Sequence, residues 1–230
     1  MAFWRQNILR LFLVAVVLIP GALGADALWD RASGLVEASK AWMPALSTTV
    51  SLDLNDKGAV LETIVTETRY SLDKQGRIAR QNFRVVKNGA NQTPDAVSKA
   101  TDGPKGPTDP LEMAAKSMTK TEPFVVGTWK GRSVQIYPYT FRPPGGTGLK
   151  GKIWIDVETA AAVHRESTID PPPPFVKTAG FVQDAVLDPR GFLATSTIEI
   201  EFAGSLFGLT KHMKVTTEMR EWVMKASVGR

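Results

Sequence analysis

Thr197-Ile198-Glu199-Ile200-Glu201-Phe202 alternates polar and apolar residues without a break. A period of two places Ile198, Ile200 and Phe202 on one face of a strand and Thr197, Glu199 and Glu201 on the other. The next segment, 209–222, repeats the pattern: Met213, Val215 and Met219 oppose Lys214, Thr216, Glu218 and Arg220. Such strands meet water on one face and apolar groups on the other, as antiparallel sheets do.

Working outward, the same reading predicts strands at 124–129, 132–141, 151–157, 161–169 and 178–187 before this pair. It predicts three more at 50–54, 61–72 and 77–86, where Asn55-Asp56-Lys57-Gly58 and Asp73-Lys74-Gln75-Gly76 supply the turns of a meander. Short Gly-, Pro- and Asp-containing separators make nearly all neighbours antiparallel. Only two helices are expected. In 28–43, Trp29, Ala32, Leu35, Val36, Ser39 and Trp42 recur at three- and four-residue spacing, and Pro44 ends the run. In 109–118, Asp109 caps, Pro110 opens the first turn and Glu112 follows, with Leu111, Ala114, Ala115 and Met118 as the apolar stripe. The intervening 87–110 is Gly- and Pro-rich and reads as a long loop. Pro171 to Pro174 reads as a stiff polyproline II connection. Roughly ten strands against two helices admit a sandwich, a closed barrel or one curved sheet. In the last case two helices cannot fill the apolar face, and a cavity is left.

The N-terminus reads as a targeting segment. Arg5 and Arg10 precede an unbroken apolar run from Leu11 to Ile19, Pro20-Gly21 breaks it, and Ala25-Asp26-Ala27 fits a small-x-small cleavage rule. The expectation is a secretory signal peptide over 1–27, a single domain over 28–230, and a soluble periplasmic product. The 28 basic and 23 acidic residues give +5, and cleavage removes one unit of that excess. Its even spread argues against nucleic acid. There is no cysteine, so disulfides, thiol catalysis, thiolate metal sites and a lipid-modified cysteine are excluded.

Catalytic motifs fail. Gly146-Thr-Gly-Leu-Lys-Gly151-Lys152 lacks the Ser or Thr that a phosphate loop needs, and Ile153-Trp154-Ile155 continues as a strand rather than a helix. His164 and His212 lie far apart in predicted strands, where packing is the expected role. No metal, no cofactor and no enzymatic activity are expected.

The stretch Gly151-Lys-Ile-Trp154-Ile-Asp156-Val-Glu-Thr159, running on through His164 and Arg165, resembles a hairpin of the LolA-like superfamily of periplasmic outer-membrane lipoprotein-sorting and carrier proteins. The order of elements and the ending from Phe207-Gly208 into 213–222 are similar as well. The resemblance implies a mainly β (α+β) fold: a single curved antiparallel sheet forming an unclosed half-barrel, with an N-terminal helix and a short lid helix. It implies a non-enzymatic carrier or binder of lipidated cargo, lipoprotein acyl chains or another lipid, moving between inner and outer membranes. The alternative is an interaction or envelope-stress-sensing module that contacts envelope membrane proteins through the same fold. A monomer is expected. Candidate cavity residues are Val50, Leu52, Leu54, Phe83 and Val85 from the first strands, and Ile153 and Ile155 from the motif. Ile198, Ile200, Phe202, Met213, Val215 and Met219 complete the set. Lid candidates are Leu35 and Trp42 in the first helix and Leu111, Ala115 and Met118 in the second.

Overall fold

A computed structural model describes residues 25–74, 76–93, 118–121, 123–142, 148–206 and 209–225. The described residues build one helix, α1 (Ala25–Ser39), and twelve strands: β1 (Trp42–Leu54), β2 (Val60–Leu72), β3 (Ile78–Lys87), β4 (Ala90–Asn91), β5 (Met118–Lys120), β6 (Val125–Trp129), β7 (Arg132–Phe141), β8 (Leu149–Asp156), β9 (Ala162–Ile169), β10 (Val176–Leu187), β11 (Leu193–Leu206) and β12 (Leu209–Met224). All belong to one antiparallel sheet in the order β4-β3-β2-β1-β12-β11-β10-β9-β8-β7-β5, with β6 beside β5 along the outer edge of β7. The sheet does not close, so neither a sandwich nor a barrel forms. The first and last long strands meet in its middle: β1 pairs with β12 over Trp42 to Leu54.

Directly paired residues share a face, so the register sorts the sheet into two sides. One carries α1. There Leu28, Ala32 and Val36, one turn apart, pack with Tyr137, Tyr139, Phe141, Ile153, Ile155, Ala185 and Leu193. Burying each large apolar side chain contributes about 1.5–3 kcal/mol. Trp29 meets Tyr137 edge-on at 5.3 Å. The helix is pinned at its end by Ser39, whose Oγ donates to Leu35 O and accepts the Leu193 amide at 2.7 Å.

Several sequence expectations shift. The first helix ends at Ser39, not at 43, because the backbone of Trp42, Met43 and Pro44 is paired with β12. Trp42 is therefore a strand residue, stacked on Phe192 at 4.1 Å, and not part of a helical lid. Pro44 is tolerated inside β1 because pairing with β2 begins only at Leu46, leaving its missing N–H without a partner to disappoint. Met118, expected to end the second helix, starts β5 and pairs with Phe141. Leu111 and Ala115 lie outside the described residues, as do the apolar run of the targeting segment and most of the 87–110 loop. Ala25-Asp26-Ala27 forms the first turn of α1. The proline run is the connection between two strands that the sequence suggests. The Val176 amide donates to Pro173 O, and the segment connects antiparallel β9 and β10.

Candidate functional site

The Gly151–Thr159 stretch is a structural hairpin. Asp156 is 3% exposed and its Oδ1 accepts the amides of Glu158 and Thr159 at 3.0 and 2.9 Å. Thr159 Oγ1 accepts the Ala161 amide, which closes the turn into β9. Gly151 lies between Tyr139 and Ser167 in register, and their hydroxyls hydrogen-bond across it. A Cβ at Gly151 would sit 1.9 Å from Glu166 O. Trp154 turns to the face away from α1.

The cavity candidates divide between the two faces. On the α1 side, Ile198, Ile200 and Phe202 of β11 stand beside Thr217, Val215 and Met213 of β12. Phe181 of β10 pairs with Ile200 and extends the apolar row. Ile200 is 43% exposed, which is high for an isoleucine at the centre of a sheet. Met219 lies opposite Ser47 on this side, Val85 opposite Thr66, and Ile153 and Ile155 belong to the core under α1. The register sends the β1 candidates the other way. Val50, Leu52 and Leu54 pair with Thr216, Lys214 and His212, on the face away from α1. Phe83, at the irregularity in β3, lies under Arg69 at 5.3 Å on that same face. In their place β1 presents Ser47, Thr49 and Ser51 to the α1 side, where Ser47 bonds Tyr70 and Thr49 bonds Thr217, both at 3.0 Å. Leu35 packs on the core from α1.

Arg165, Gln183 and Thr195 were not visible as site residues in the sequence. Arg165 is 6% exposed, shares the α1 side with the row, and places its guanidinium 4.6 Å from the Phe181 ring centre. Gln183 pairs with both Arg165 and Ile198 and donates to Thr195 Oγ1 at 2.9 Å. The row Phe181–Ile200–Val215 thus has a buried cation at its β9 edge. An open cleft of about 400 Å³ lies elsewhere, over β7–β9, lined by Pro138, Tyr139, Thr140, Lys150, Lys152 and Glu166 among others, and most of its surface is apolar. Among the described residues no group of His, Cys, Asp and Glu could hold a metal ion, and no helix is long and apolar enough to cross a membrane.

On the other face His164 is buried by cross-strand packing. Asp184 beside it is held below the usual carboxylate range. Burial works in the opposite direction, but hydrogen bonds from His164 and Lys130 and the charges of both outweigh it.

No protein-family model matches the chain, and no curated protein matches it. Among solved structures, a DUF1329 family protein from Desulfovibrio piger aligns with 89% of this chain and 94% of its own at a TM-score of 0.42 and 10% identity. MucB in complex with MucA aligns with 84% of this chain and 93% of its own at a TM-score of 0.24 and 12% identity. The MucA/MucB complex of Pseudomonas aeruginosa gives the same score and identity. Scores and identities this low do not establish a family.

Proposed function

We propose that the chain is an exported, non-enzymatic binder of acyl chains, its cargo a lipid or a lipidated protein carried between envelope membranes. The observation that carries this reading is the apolar row on the α1 side of β10–β12. Phe181, Ile200, Phe202, Met213 and Val215 adjoin one another across three strands, and Ile200 keeps 43% of its surface open. An acyl chain contributes about 0.8 kcal/mol per methylene removed from water. Sixteen carbons then amount to about 12 kcal/mol, a quantity set by apolar contact and not by reactive groups. Arg165 at the edge of the row suits an acidic or ester head. Lipid extraction and mass spectrometry of the purified chain should recover bound acyl lipid, and a chain that carries none and takes none up from vesicles overturns the reading.

The open sheet supports a second reading, an interaction module. Val125 and Val126 on edge strand β6 are 63% and 66% exposed, and an unpaired strand edge can accept a strand from a partner. Specific capture of one envelope protein by a chain free of lipid would favour it.

A further inference from the structure

Two carboxylates close on one buried imidazole on the face away from α1. His164, in β9, is 4% exposed. Its Nδ1 lies 2.6 Å from Asp184 Oδ1 in β10, and its Nε2 lies 3.2 Å from Glu166 Oε1. Ionised carboxylates only accept, and only the imidazolium donates at both nitrogens. Trp129, the last residue of β6, stacks on the ring at 4.0 Å and 25°, and Trp154 meets it edge-on at 4.6 Å. An indole face attracts a cation. The next residue, Lys130, reaches Asp184 Oδ2 at 3.0 Å. Lys130 and Gly131 both hold positive φ, +46° and +80°, in the tight turn from β6 to β7.

β6 pairs with β7 alone, lies off the main strand path, and leaves Val125 and Val126 open to solvent. We propose that His164 is a proton-operated latch for the β6–β7 hairpin. Charged, the ring holds Asp184 and Glu166 at once and ties Trp129 to β9 by its stack, while the Lys130–Asp184 pair joins the turn to β10 in either state. Neutral, it can donate to one carboxylate only, presents a lone pair to the other, and gives Trp129 no cation. Release would bare the β7 backbone over 132–136 as an edge for an incoming strand. The charged groups around the ring are Glu166 in β9, Asp184 in β10, Lys152 opposite Glu166 in β8, Lys130 in the turn, and the Arg132–Asp156 pair at 3.5 Å beside it. Carboxyl, ammonium and guanidinium groups ordinarily keep their charge between about pH 5.5 and 8.5, where an imidazole ordinarily changes its own.

Amide hydrogen exchange of the whole chain, corrected for the intrinsic pH dependence of exchange, tests the latch. The segment 124–131 should exchange about tenfold faster at pH 8.5 than at pH 5.5, while β11 and β12 stay level. His164→Gln, which donates without charge, should hold the fast rate at both values. Glu166→Gln, at a side chain 54% exposed and therefore tolerant of change, should shrink the response. A wild-type response equal to that of the whole sheet overturns the latch, as does a full response in either variant.

Discussion

Gly151→Ala removes no group and adds one methyl, yet it should be among the most damaging single-carbon changes in the chain. Its Cβ would stand 1.9 Å from Glu166 O, 2.9 Å from the Glu166 carbonyl carbon and 2.9 Å from Ser167 Cα. All three are backbone atoms of β9, so no side chain can swing away. A carbon and an oxygen rest at about 3.3 Å or more, so β8 and β9 must part by over an ångström there. The ladder bonds beside the site weaken, at about 0.5–1.5 kcal/mol each, and overpacking adds about 1–3 kcal/mol. The hydroxyl bond between Tyr139 and Ser167, which passes across this glycine, is disturbed as well. The expected loss is about 3 kcal/mol, or about 6–12 °C in Tm for a domain of this size. Gly180→Ala is the control, since its Cβ would find only Ser167 O at 3.9 Å and an alanine suits a strand better than glycine. Urea titration and thermal melting of the two variants should separate them clearly. A Gly151→Ala protein within about 0.5 kcal/mol of wild type, or indistinguishable from Gly180→Ala, would refute the reasoning.

Other outcomes follow from the same geometry. Ser39→Ala leaves the buried Leu193 amide without its acceptor and should cost about 1–3 kcal/mol in urea unfolding, with Ser39→Thr costing less. The Asp184 carboxyl lies below its ordinary 3.8 when folded. The stability it adds is complete above that value and is lost as pH falls through the lowered one. Asp184→Asn should therefore flatten the acid limb of the stability profile below about pH 4, as melting temperatures between pH 2 and 7 will show. Trp129→Phe should keep the stack on His164 and Trp129→Ala should lose it, so only the second should accelerate hydrogen exchange in β6 at low pH.

Much of this fold is legible in the sequence because a strand writes its burial at period two. Ile198, Ile200 and Phe202 fall on one face as their spacing says, and β2, β3 and β7 to β12 lie close to where alternation puts them. The failures have physical causes. Trp42 continues the helical spacing of Leu35 and Ser39, but pairing with β12 outweighs that preference and draws Trp42 and Met43 into β1. In β1 itself alternation is clear but its sense is not. The ladders to β12 and β2 fix Val50, Leu52 and Leu54 opposite Thr216, Lys214 and His212, and the side nearer α1 receives hydroxyls instead. A strand's pattern tells which residues travel together, not which face a neighbour will cover. β4 and β5 are two and three residues long and carry too little pattern to be seen. Arg165 and His164 adjoin in sequence and were separable only by the pleat, which sends one beneath Phe181's side of the sheet and the other into the carboxylate pair.

The proposed seat of the acyl chain is the α1 side of β10–β12. Titration of a fluorescent fatty acid against wild type, Ile200→Asp and Leu52→Asp tests it most directly. Both variants place one carboxylate on a strand that folds with partners on either side, and they differ in the face they occupy. Wild type and Leu52→Asp should bind at micromolar levels, and Ile200→Asp should lose at least tenfold. Equal binding by the two variants, or loss at Leu52→Asp alone, would contradict this placement.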